Sequence, residues 1–140
     1  MKNKNKGFSL VELIVVVLIM AIIAVSMAPQ VMKWVDKSRQ AKDVSNYDAL
    51  YAAAQIAATE YSPSETVTIT MTSTGTDTSV AEGVDASVKT KFDTAMSHTL
   101  PNWKDVKVQS VNHPGDYTIT VLNTVAVKIT VQPDDELLDD

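Results

Sequence analysis

The hydropathy pattern changes twice along the chain. From Phe8 to Val35, 22 of 28 positions are apolar, with no polar face at the helical or the strand period. Within that stretch Phe8–Ala28 covers 21 residues, about 31 Å as a helix at ~1.5 Å per residue, enough to cross the hydrocarbon of a bilayer. Beyond it Val44, Tyr47, Tyr51, Ala54, Ala58 and Tyr61 recur at steps of three and four, while Asp36, Arg39, Asp43, Asn46 and Glu60 fall elsewhere. The spacing predicts one helix from about Phe8 to Glu60, closed by Pro63, whose second half offers an apolar stripe. The alanine-rich run at 52–58 adds helix propensity and small side chains for close packing.

After Pro63 the period falls to two. Threonine holds every even position from 66 to 78, with Val67, Ile69 and Met71 between the first four, which predicts a strand with one apolar face. Ser73, Gly75 and Asp77 then replace the apolar partners. An exposed loop near Ser73–Ser79 is therefore expected, a solvated one or a surface for glycosylation or adhesion. Asp85 is placed to cap a short helix with Val88, Phe92, Ala95 and Met96 facing inward and Pro101 beyond its end. Alternation predicts three further strands, at about 105–111, 116–122 and 125–131, joined by short turns at 112–115 and 123–124 as an antiparallel meander. The expected fold is α+β: a long N-terminal helix, transmembrane in its first half and amphipathic in its second, with Tyr47, Tyr51 and Ala54 packed on a small antiparallel sheet. The expected divisions are a leader at 1–7, an apolar helix at 8–35, its amphipathic continuation at 36–60, and a head at 61–140.

Composition narrows the chemistry. With no cysteine, the chain has no disulfide framework, thiolate metal site or cysteine nucleophile. Its net charge is −5, and residues 61–140 carry 5 basic against 12 acidic side chains, a balance that repels nucleic acid. The two histidines, His98 and His113, have no nucleophile or metal-ligand spacing around them, so neither catalysis nor a cofactor is expected. The acidic run Asp134–Asp140 lacks the spacing of a calcium loop.

One ionisable residue interrupts the apolar stretch. Between Gly7 and Met32 only Glu12 is ionisable, and Lys2, Lys4 and Lys6 precede it, which predicts a cytoplasmic N-terminus and an outward head. A secretory signal peptide would be cut near Ser26-Met27-Ala28, with Pro29 just after the scissile bond, and would leave Glu12 unexplained. A plain membrane anchor has no use for Glu12 either, because an acidic residue costs ~2.5–3.5 kcal/mol near a membrane helix centre, less toward an end.

Gly7-Phe8-Ser9-Leu10-Val11-Glu12-Leu13, after a lysine-rich leader and before a long apolar helix, resembles the class III signal of type IV prepilins and pseudopilins. The resemblance covers about residues 1–40; the stretch Lys37-Ser38-Arg39-Gln40-Ala41-Lys42-Asp43 is similar to helices of Gram-positive members. It implies cleavage between Gly7 and Phe8 by a membrane prepilin peptidase, N-methylation of Phe8, and a helix kept in the mature protein. It also implies assembly with identical or related subunits by an inner-membrane platform and an ATPase, from a single-pass membrane precursor to an extracellular filament. Glu12 would then neutralise the Phe8 amine of a neighbouring subunit; contact within one helix, four residues along, is the alternative. Pro29 matches a proline common in the family and either kinks the helix or marks its exit from the membrane. The expected function is that of a type IV pilus subunit. The alternatives are a pseudopilin of a secretion or competence apparatus, and a membrane-anchored binding module.

Overall fold

The computed structural model describes residues 7–61, 63–110, 116–122 and 126–131, the last strand by its backbone. The leader lysines, His113, both short turns and the run Asp134–Asp140 lie outside the described residues. Contacts divide the chain into two units that meet at Val35 and Asp36. Helix α1, Leu10–Glu60, passes from one to the other and contains Pro29.

Within the first unit no described residue covers the helix. Its large apolar side chains are exposed, from Phe8 at 90% through Leu18 at 58% to Trp34 at 64%. The second unit encloses its own core. Strands β1 (Val67–Met71), β2 (Thr76–Val80), β3 (Tyr117–Leu122) and β4 (Ala126–Val131) form an antiparallel sheet in the order β2-β1-β3-β4. Helix α2, Ala86–Thr99, begins at Asp85, whose carboxylate accepts from the Ser87 N–H at 2.8 Å. Val88, Phe92, Ala95 and Met96 face inward as their spacing predicts. They join Leu50, Ala53, Ala54, Ala57 and Ala58 of α1 and alternate residues of β1 and β3 in one core. The α+β architecture expected from the periodicities is thus present.

Three local expectations are corrected. The loop expected at Ser73–Ser79 is mostly strand β2, because threonine serves as an inward residue there. Thr76 and Thr78 are buried opposite Met71 and Ile69; Thr76 Oγ1 donates to the Val106 carbonyl at 2.6 Å, and Thr78 Oγ1 donates to Asp93. The turn before β2 needs Gly75, whose φ is +152° and whose missing Cβ would stand 2.8 Å from the Lys104 carbonyl oxygen.

The strand expected at 105–111 is also replaced. A 3-10 turn at Trp103–Asp105 leads into an extended segment, 106–110, that joins no sheet. β3 takes the free edge of β1 instead, so the expected meander becomes two hairpins that meet at β1 and β3. The segment is tied down elsewhere: the Val108 N–H donates to the Thr72 carbonyl, and the Gln109 and Ser110 N–H groups donate to the two carboxylate oxygens of Asp43 at 2.7 and 2.8 Å. The third correction concerns Asp43 itself. Its place off the apolar stripe assigned it to solvent, yet it is fully buried, because two backbone donors need an acceptor there.

Candidate functional site

The signal residues stand where the helix begins. Ser9 precedes α1, and its hydroxyl accepts from the Glu12 N–H at 3.2 Å, while Glu12 Oε2 accepts from the Ser9 N–H at 3.2 Å. The two residues thus satisfy each other's first-turn donors as a capping box. Glu12 therefore has a local partner within its own chain. The Ser-x-x-Glu spacing at 9–12 is a readable cap signature that the charge argument alone passes over.

The carboxylate is held beside one peptide nitrogen, one residue from Phe8. It also lies at the positive end of the helix dipole, which lessens its cost at the edge of an apolar segment. Phe8 is exposed, and a Cβ on Gly7 would meet nothing within 4 Å, so no described contact requires glycine there.

The apolar half of α1 is long and apolar enough to cross a membrane, and none of that window is buried by the chain. Its hydroxyl at Ser26 is satisfied internally by the Ile23 carbonyl at 2.9 Å. Pro29 sits inside the helix, where its missing N–H leaves the Val25 carbonyl without its usual donor. Trp34, next to Lys33, is exposed where the apolar stretch ends. This aromatic-plus-basic pair suits a membrane interface, a signal the hydropathy count misses.

A model of the prokaryotic N-terminal methylation motif matches residues 2–28. The chain carries a prepilin-like class III signal. The match takes in Gly7, Phe8, Ser9 and Glu12 and most of the apolar stretch, which supports a pilin- or pseudopilin-like precursor. Comparison with curated proteins and with solved structures gives no match. The prepilin-like signal and the exposed helix together support anchoring in a membrane.

The head offers chemistry of a structural sort. Among the described residues no group of three or more acidic, histidine or cysteine side chains is placed to hold a metal ion. His98 Nδ1 lies 2.7 Å from Glu60 Oε1 and ties the end of α2 to the end of α1. Lys89 reaches Asp77 at 3.0 Å, Thr78 at 2.9 Å and Asp93 at 3.3 Å, and Lys104 reaches Asp93 at 3.4 Å, joining α2 to β2. Partial burial pulls the Lys89 pKa down, but its bond to Asp77 and the charge of Asp93 outweigh it and hold the ammonium above its ordinary value. Asp77 is held below the usual carboxylate range, chiefly by its hydrogen bond from Lys89.

Proposed function

We propose that this chain is a structural subunit of a type IV pilus. A prepilin peptidase cuts between Gly7 and Phe8, Phe8 is N-methylated, and the mature chain keeps the whole apolar helix. Before assembly the chain is a single-pass membrane protein with its N-terminus in the cytoplasm and its head outside. An inner-membrane platform and an ATPase then move it into a filament with identical or related subunits. The observation that carries this reading is the methylation motif at residues 2–28, running into a helix whose apolar surface the chain leaves uncovered.

The mechanism follows from where that surface goes. In the membrane lipid covers it; in the filament neighbouring helices do, and the heads face solvent. The cut removes three lysines and creates an amine at Phe8, leaving nine basic and seventeen acidic side chains. Glu12 neutralises that amine on a neighbouring subunit and sets the axial register, since an unpaired charge in an apolar bundle is costly. A carboxylate has room for both partners: Oε2 keeps the helix cap while the other oxygen meets the amine. Pro29 provides the place where the packed helix opens.

Two substitutions separate charge from cap. Glu12→Gln can keep the capping box but not the charge, and is expected to reduce isolated filaments at least about a hundredfold, the scale of losing a ~3 kcal/mol buried pair. Ser9→Ala loses the cap, worth about 1 kcal/mol, and keeps the charge, so filaments form at reduced yield. Normal filament yield from Glu12→Gln, or absence of the chain from filaments sheared off the cell surface, would refute the reading.

A further inference from the structure

The uncovered half of α1 carries a marker at each end. Glu12 stands in the first turn, its carboxylate turned back to the Ser9 N–H at 3.2 Å. Lys33 and Trp34 stand where the apolar run stops, and both are exposed, Trp34 at 64%. Between Glu12 and Lys33 lie twenty residues, 13–32, none of them ionisable. All belong to α1, so they measure about 30 Å at ~1.5 Å per residue, the thickness of a bilayer's hydrocarbon. The two markers are one membrane apart.

Lipid can cover this helix in two registers. Hydropathy alone favours residues 8–28, which sinks Glu12 four residues, about 6 Å, below one surface. It also leaves Val31, Met32 and Trp34, all exposed, in water beyond the other surface. The register 13–32 corrects both faults. Glu12 rises to the headgroups, where the cost of a carboxylate is least. Val31 and Met32 enter lipid, and the Trp34 indole and Lys33 ammonium reach the level that aromatic and basic side chains prefer. Few polar groups remain inside. The Ser26 hydroxyl donates to the Ile23 carbonyl at 2.9 Å and so needs no water, and Gln30 lies less than one turn from Lys33.

We infer that lipid covers residues 13–32, that Lys33 and Trp34 anchor the chain among the outer headgroups, and that Pro29 lies inside the bilayer, about 6 Å from that surface. The inference rests on the single-pass reading above and sets its depth. The Val25 carbonyl, which Pro29 leaves without its usual donor, then lies in hydrocarbon, so the weak point of the helix is within the membrane and not at its exit. At the other end the Gly7–Phe8 bond stands clear of the hydrocarbon. It belongs to the non-helical stretch 7–9, where a peptidase can take it in extended form.

Two tryptophans make the depth measurable, because Trp103 is 1% exposed in the head core whereas Trp34 is open. The full chain is reconstituted in vesicles of phosphatidylcholine and phosphatidylglycerol whose acyl chains carry bromine either next to the headgroup or near the methyl end. Shallow bromine should quench Trp34 emission at least about twofold more than deep bromine, as for an indole at the interface. Trp34→Phe should remove that difference. The chain has no cysteine, so a single one reports its own surroundings. A hydrophilic maleimide on both sides of the vesicles should label Val31→Cys at least about tenfold more slowly than Lys37→Cys, since only the first lies in hydrocarbon. Equal labelling would end the membrane near Ala28 and overturn the register. So would stronger quenching by deep bromine, or a difference that survives Trp34→Phe. Quenching by neither bromine would assign Trp34 to water or to a contact between copies, and would overturn it too. Release of the chain from the vesicles by alkaline carbonate would refute the single-pass reading itself, and the register with it.

Discussion

Leu18 and Leu50 lie on the same helix in opposite surroundings: Leu18 is 58% exposed and Leu50 is 0% exposed. Both halves of α1 form helix, yet among the described residues only the second half is covered by others of the chain. Full burial of one such side chain contributes about 1.5–3 kcal/mol. Between Phe8 and Val35 nineteen large apolar side chains are exposed, so the free energy available from covering them runs to tens of kcal/mol at the same rate. The head encloses its own core, and the first half of α1 leaves its apolar surface to be covered by lipid or by other helices under the proposed function.

That contrast predicts unequal costs for one substitution. Leu50→Ala should destabilise the head by about 2–5 kcal/mol, whereas Leu18→Ala should leave head stability unchanged. Denaturant unfolding followed by the fluorescence of buried Trp103 measures both, and equal losses would erase the distinction between the halves. Next in size is Asp43→Ala, which strands the Gln109 and Ser110 N–H groups and should cost about 2–3 kcal/mol. Amide exchange should accelerate at those two positions first.

A smaller loss is expected at the turn before β2. Gly75→Ala places a Cβ against the Lys104 carbonyl at a strained φ and should cost about 1–3 kcal/mol, read as a lowered thermal midpoint. The smallest effect concerns Tyr47 and Tyr117, whose buried hydroxyls find no hydrogen-bond partner among the described residues. Tyr47→Phe should change stability by less than about 1 kcal/mol, or raise it slightly. Burial first, then the charges of Asp48 and Tyr51, push the Tyr47 pKa up to about 12; burial and Asp43 raise that of Tyr117. A raised folded pKa means that the contribution is complete below the ordinary value of 10 and is lost as pH rises from there through the folded value. Absorbance of the two tyrosinates should therefore develop late and together with unfolding.

The same contrast explains what was legible in the sequence. Apolar runs and helical stripes report burial of large surfaces, so α1, the inward face of α2 and strands β1, β3 and β4 were readable from spacing alone. Thr76, Thr78 and Asp43 were not, because each is a polar residue buried by a partner distant in sequence: Val106, Asp93, and the Gln109–Ser110 pair. The segment 106–110 alternates like a strand, but β3 holds the sheet edge it would need. At the signal, Gly7, Phe8 and Glu12 were legible as a motif. The Ser9–Glu12 cap was equally written in the spacing but hidden behind the question of the unpaired charge.

The central claim is that the apolar half of α1 is retained by a cut made before it. The mass of the N-terminal peptide, measured on protein purified from membranes or filaments of cells that make the peptidase, tests this most directly. The account predicts a chain that starts at N-methylated Phe8. A chain that still starts at Met1, or one cut after Ala28 with the helix gone, would contradict it.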